Sequence, residues 1–153
     1  MLKKGGKAPD FEAQLDSGTR VKLSDFMSKK NLVLYFYPKD FTSGCTKEAC
    51  AFRDTRAEFE KRDAVIIGVS LDPEESHARF KGQYGLNFPL ISDKNRELSR
   101  LFGVLRRIGP SVQRVTFVID KKGIIRQVIH NELNMQAHID QALEALNEIA
   151  DQA

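Results

Sequence analysis

The apolar positions of this chain follow two periods, and element boundaries are expected where one gives way to the other. Leu32 to Tyr37 (LVLYFY) is apolar at every position. Such a run predicts a central strand covered on both faces. Pro38 ends it, because proline brings no N–H to a ladder, and Lys39 to Gly44 reads as a loop. From Cys45 to about Arg62 the period changes. Ala49, Phe52, Arg56 and Phe59 recur at helical spacing, so their apolar parts can share one face. Ala64 to Ser70 is expected to be a second buried strand. Asp72 then stands as N-cap, and Pro73 as first residue, of a helix reaching Gln83.

Phe88 to Ile91 reads as a short extended piece, and Arg96 to Phe102 as a helix stopped by Gly103. Val115 to Ile119 and Ile124 to Ile129 predict a hairpin across Asp120-Lys121-Lys122-Gly123. Met135 to Ile149 closes the chain as an amphipathic helix with Ile139, Leu143, Leu146 and Ile149 inward. Ahead of all these, Phe11 to Leu15 and Val21 to Leu23 form a small hairpin turned at Asp16, Ser17 and Gly18. This order predicts the α/β class, a mixed central sheet flanked by helices with an N-terminal hairpin. No linker or repeat interrupts residues 1–153, so one domain is expected, large enough to bury a core without staples.

Composition narrows the function. The net charge is only +3, and the basic residues are interleaved with acids. The most basic segment, Arg106, Arg107 and Arg114, has no aromatic to stack on a base, so nucleic acid is not an expected partner. No apolar run approaches the ~18 residues of a membrane span. The N-terminal lysines are not followed by an apolar signal segment, which makes the cytoplasm the expected compartment. Exposed faces show no dimer stripe, and a monomer is preferred. Only two cysteines occur, too few for a secreted disulfide scaffold. In a reducing compartment a close pair is better placed for chemistry than for stapling. His77, His130 and His138 lack metal-ligand spacing to one another or to the cysteines, so no metal is expected and they read as solvated or core residues.

The informative stretch runs from Tyr37 to Cys50. It puts Cys45 at the first turn of a helix, directly after a buried strand. Unpaired N–H groups and the positive end of the helix dipole converge there and favour thiolate over thiol. A thiol with the ordinary pKa of ~8.5 is only ~3% ionised at pH 7, whereas one at ~6 is ~90% ionised. Thiolate displaces one oxygen of a peroxide and expels the other. Thr42 and the N–H groups around Gly44 can donate to the charge that develops. A forked guanidinium would complete the set, and Arg114 is the best placed, entering a late strand expected beside the central one.

Pro38, Thr42 and Cys45 in this order resemble the peroxiredoxin active-site pattern. Glu48, and Arg114 before Val115-Thr116-Phe117-Val118-Ile119-Asp120, match that family's supporting glutamate and arginine. Cys50, five residues after Cys45, resembles the bacterioferritin-comigratory-protein (peroxiredoxin Q) branch, as do Val69 to Asp72 with Ser76-His77, and Phe88 to Asp93. The likeness runs from about Lys7 to the last helix. It implies a thioredoxin-like fold, no metal or haem, reduction of hydrogen peroxide and organic hydroperoxides, and recycling by thioredoxin or a similar dithiol reductant. It also implies that Cys45 is the nucleophile and Cys50 the resolving cysteine, that Thr42 and Arg114 activate the peroxide, and that Pro38 shields the sulfur. Two departures stand out. Ser43 replaces the family's usual proline, and Gly103 to Gln113 is short and arginine-rich.

Plainer readings of the same residues exist. Cys45 or Cys50 could be core, Glu48 an ordinary first-turn carboxylate, Thr42 and Ser43 mere caps, and Arg114 a surface residue on an edge strand. Two rival functions compete, a thiol–disulfide oxidoreductase and a peroxide sensor that oxidises once. Residues five apart on an intact helix have Cα atoms roughly 8–9 Å apart, beyond the ~7 Å reach of a disulfide. A Cys45–Cys50 bond therefore requires the first turns of the helix to unwind.

Overall fold

The computed structural model describes residues 1–152. Five strands form the central sheet: β3 (Asn31–Phe36), β4 (Ala64–Ser70), β5 (Leu90–Ser92), β6 (Val115–Ile119) and β7 (Ile125–His130). Their order is β5-β4-β3-β6-β7, with β3 parallel to β4 and antiparallel to β6. The sheet is therefore mixed, as expected, and the fully apolar β3 lies at its centre. The small hairpin is β1 (Glu12–Gln14) with β2 (Arg20–Lys22).

Residues on β3 alternate between two cores. Val33, Tyr35 and Tyr37 face the layer of α1 (Ser43–Glu60) and α4 (Met135–Asp151), where Phe52, Phe59, Ile139 and Leu146 are buried. Leu32, Leu34 and Phe36 face Phe11, Leu23, Phe102 and Val104, a layer that includes α3 (Glu97–Phe102). Each large side chain so buried contributes roughly 1.5–3 kcal/mol. The ring of Tyr35 stacks on Phe52 at 4.5 Å, and only a glycine leaves room beside it, since a Cβ on Gly68 would lie 2.9 Å from that ring.

Several boundaries differ from the sequence expectation, each for a local reason. The second long helix, α2, spans Glu74–Tyr84 with Pro73 as its N-cap, not Asp72. Asp72 is drawn away, because its carboxylate accepts from the Asp40 N–H at 2.8 Å and the Ser70 hydroxyl at 2.6 Å. Arg56 is not on the buried face of α1 but pairs with Glu60 at 2.9 Å. α1 begins at Ser43, two residues before Cys45, and Arg96 precedes α3 in a left-handed conformation.

The N-terminal residues run along both edges of the sheet. At β5, Leu15 bridges Ile91 and Asp16 bonds Leu90 through both its N–H and its carboxylate. At β7, Gly5 donates to Ile125 O and Ile125 donates to Gly6 O.

Candidate active site

The loop between β3 and α1 brings the expected residues together. Thr42 occupies the N-cap position of α1, but its hydroxyl donates to Lys39 O at 2.8 Å and does not cap the helix. The first intrahelical bond of that turn runs from Thr46 N–H to Thr42 O at 2.8 Å. The N–H groups of Ser43, Gly44 and Cys45 precede it, so the positive end of the helix stands open at the sulfur. Cys45 is buried and Cys50 half-buried, and both are free thiols on one unbroken helix. Pro38 is half-buried between β3 and this loop.

Arg114 enters from the start of β6 and is 6% exposed, not a surface residue on an edge. Its two terminal nitrogens divide the work. Nη2 lies 3.3 Å from Cys45 Sγ, and Nη1 donates to Glu48 Oε1 at 2.8 Å. Guanidinium has no acceptor to offer, so in this contact the sulfur is the acceptor. Gly44 permits this approach, because a Cβ there would lie 3.1 Å from Arg114 Nη2 and 2.9 Å from Met135 Cε. Burial drives the Glu48 pKa up to about 7 although Arg114 pulls it down.

Behind Glu48 stands His138 of α4, with Nδ1 3.6 Å from Glu48 Oε2 and 2.7 Å from the Thr116 hydroxyl. Four buried atoms around the sulfur lack a hydrogen-bond partner among the described residues: the Tyr35 hydroxyl, Thr46 Oγ1, Glu48 Oε2 and Arg114 Nε. Glu132, from the loop after β7, accepts the Arg114 backbone N–H at 3.0 Å and Arg106 Nη2 at 2.8 Å. The arginine-rich stretch is thereby tied to the site.

On the other side, a clasp holds the loop. Asp40 accepts from the hydroxyls of Tyr37 at 2.7 Å and Ser76 at 2.8 Å, and from His77 Nδ1 at 2.7 Å. His77 Nε2 lies 3.0 Å from Ile91 O, so both ring nitrogens face acceptors. Burial lowers the His77 pKa, but the hydrogen bond and charge of Asp40 outweigh it and raise the value. Asp40, Asp72 and His77 have metal-ligand atoms within 4.8 Å of one another, yet they spend these on each other and on nearby hydroxyls. Phe41, next in the loop, has φ of 66° and its ring lies 5.1 Å from Phe80. Sequence reasoning singled out Cys45, Glu48, Arg114, Thr42, Pro38 and Cys50. It missed Glu132, Tyr35 and the roles of His77 and His138, which only strand order brings to the loop.

The AhpC/TSA family model matches residues 4–128. This chain is a peroxiredoxin. It is 43% identical to peroxiredoxin Bcp of Bacillus subtilis over 96% of each chain. Among solved structures, peroxidoxin BcpB of Mycobacterium tuberculosis superimposes with a TM-score of 0.91 and 41% identity, covering 97% of this chain and 99% of that one. A bacterioferritin comigratory protein of Xanthomonas campestris, solved for its alkyl peroxide reduction activity, gives 0.83 and 35% over 92% of each chain. The peroxiredoxin therefore has the thioredoxin-like fold and is a thiol-dependent peroxidase of the bacterioferritin-comigratory-protein branch. None of its helices is long and apolar enough to cross a membrane among the described residues.

Proposed function

We propose that Cys45 is the peroxidatic nucleophile and that Cys50 resolves its oxidised form. The thiolate attacks one oxygen of a hydroperoxide and the O–O bond breaks. Sulfur gives up two electrons and keeps one oxygen as sulfenic acid, while the other oxygen leaves as water or alcohol after taking a proton. Cys50 then attacks the oxidised sulfur, expels water and forms the disulfide. A dithiol reductant of the thioredoxin kind returns two electrons. The observation that carries this reading is the Arg114 fork, 3.3 Å from Cys45 Sγ on one arm and bound to Glu48 on the other.

The supporting parts have distinct tasks. Arg114 and the open end of α1 receive the charge that builds on the peroxide oxygens. Thr42 gives its proton to Lys39 O, so its lone pairs are free to accept the O–H of the incoming hydroperoxide. Pro38 covers the sulfur, and Glu48 fixes the guanidinium. Because α1 is intact from Ser43 to Glu60, disulfide formation unwinds its first turns. A reducing cytoplasm and a monomeric state fit two free thiols served by an external reductant.

The test is turnover with thioredoxin, using hydrogen peroxide and a bulky organic hydroperoxide side by side. Cys45→Ser should abolish it, and Cys50→Ser should form one equivalent of sulfenic acid and stop. Full turnover by Cys45→Ser overturns the assignment. A native protein that consumes a single equivalent even with reductant is a sensor. Amide exchange at residues 44–50 should lose protection in the disulfide form.

A further inference from the structure

Behind Arg114 lies a buried pair of which this mechanism uses only Glu48, and only through one of its two carboxylate oxygens. The side chains of Glu48 and His138 are both fully buried, one from α1 and one from α4. Glu48 Oε1 is satisfied by Arg114, but Oε2 has no partner and faces His138 Nδ1 at 3.6 Å. The other contacts of the ring fix its hydrogen. Nε2 lies 2.8 Å from the carbonyl of Asn131, which can only accept, so Nε2 carries a hydrogen. In a neutral ring Nδ1 then accepts from the Thr116 hydroxyl at 2.7 Å. The acceptor nitrogen thus faces a bare, desolvated carboxylate oxygen, an unfavourable arrangement. One added proton resolves it, either on Glu48 Oε2 or on Nδ1 as an N–H aimed at Oε2.

We propose that His138 is a positioning residue for peroxide reduction, holding with Glu48 a single shared proton behind Arg114. The proton decides how the guanidinium divides itself. With Cys45 as thiolate and Glu48 ionised, two anions compete for one buried cation. With the proton in place, the charge of Arg114 serves the thiolate and the peroxide alone. Burial pushes the Glu48 carboxyl up to about 7, and burial pushes His138 down.

The other groups facing the pair come from every neighbouring element. Cys45 lies on α1 and Arg114 at the start of β6. On β3, burial raises the pKa of Tyr35 and keeps its phenol neutral. At the end of β7 the exposed His130 and, just beyond it, Glu132 are bonded to each other at 3.1 Å. Burial raises the pKa of Glu132, but the Arg114 N–H, Arg106 and His130 outweigh it, so Glu132 is anionic. Its charge helps both members of the pair to keep their proton.

The inference rests on the peroxidatic role given to Cys45, and its test separates the two. The rate of Cys45 oxidation by hydrogen peroxide is followed by stopped flow in reduced protein, across a pH range of about 5 to 9. The native profile should rise as thiolate forms and bend downward near neutrality as the shared proton is lost. In Thr116→Val, Nδ1 loses its donor and turns to Glu48, so the bend should move up by ~1 pH unit. In His138→Gln no ring can take the proton and an amide N–H can donate to Oε2, so the bend should move down by ~1 unit. A packing role alone would not shift the two variants in opposite directions. Superimposable profiles in all three proteins overturn the proposal. The near-isosteric Thr116→Val decides the matter even if His138→Gln fails to fold. Turnover retained by Cys45→Ser would instead remove the reading beneath it.

Discussion

The loop before α1 is gripped from two sides, and the grips are built on opposite plans. On the α2 side, Asp40, Tyr37, Ser76 and His77 use their polar atoms on one another and on Ile91 O. On the β6 side, Arg114 Nε, Glu48 Oε2, Thr46 Oγ1 and the Tyr35 hydroxyl are buried without partners. A saturated network can only hold. An unsaturated one keeps donors and acceptors for a guest, at a cost in stability. The first side is saturated, whereas the second holds Cys45 Sγ beside a guanidinium whose Nε is still unpaired.

That contrast can be broken by removing the central member of each side. Arg114→Leu should reduce the peroxide rate by about 10²–10³-fold. Its effect on melting should be small, because Glu48, already raised to about 7, takes up a proton once its cation is gone. Asp40→Ala should do the reverse. Tyr37, Ser76 and His77 lose their shared acceptor, which costs about 1–3 kcal/mol for each buried donor left unpaired, measurable by urea unfolding. Gly44→Ala adds a methyl group against Arg114 Nη2 and Met135 Cε, the movable ends of two side chains. It should spare stability but displace the guanidinium, lowering the rate about tenfold.

pH sharpens the comparison further, with smaller effects. His77 has a raised folded pKa. Its contribution is complete below the ordinary histidine range and is lost as pH rises through the raised value. Glu48 is a carboxyl whose folded pKa is also raised, so the native state binds the proton more tightly than the unfolded chain. Stability falls as pH climbs from the ordinary carboxylate range to about 7 and then levels off. Urea midpoints measured against pH should therefore decline in two stages. Glu48→Gln should remove the lower stage and His77→Asn the upper. The smallest change is expected from Thr42→Val, about 1 kcal/mol for the lost bond to Lys39 O, with a modest loss of rate.

Much of this was legible along the chain because it depends on neighbours in sequence. LVLYFY announced the central strand, and the helix beginning after it placed Thr42 and Glu48 each within one turn of Cys45. Arg114 was favoured by its place before a late strand, but only the resemblance set it apart from Arg106 and Arg107, since its partners lie more than sixty residues away. His77 and His138 read as solvated or core histidines, and burial puts both in the core. Their partners, Asp40 and Glu48, come from elements that spacing cannot pair. The misplaced cap shows the same limit. Asp72 has the right chemistry for a cap, but a distant N–H on Asp40 competed for its carboxylate and won.

The N-terminal bridges to Ile91 and Ile124 have a consequence beyond the site. A sheet with bare margins is a template on which further chains can add strands. Here the opening fifteen or so residues occupy the margins at both β5 and β7. A form cut back to Leu23 would lose Phe11 from the core beneath β3 and uncover both margins at once. It would present two sticky flanks, and clumping would grow with concentration.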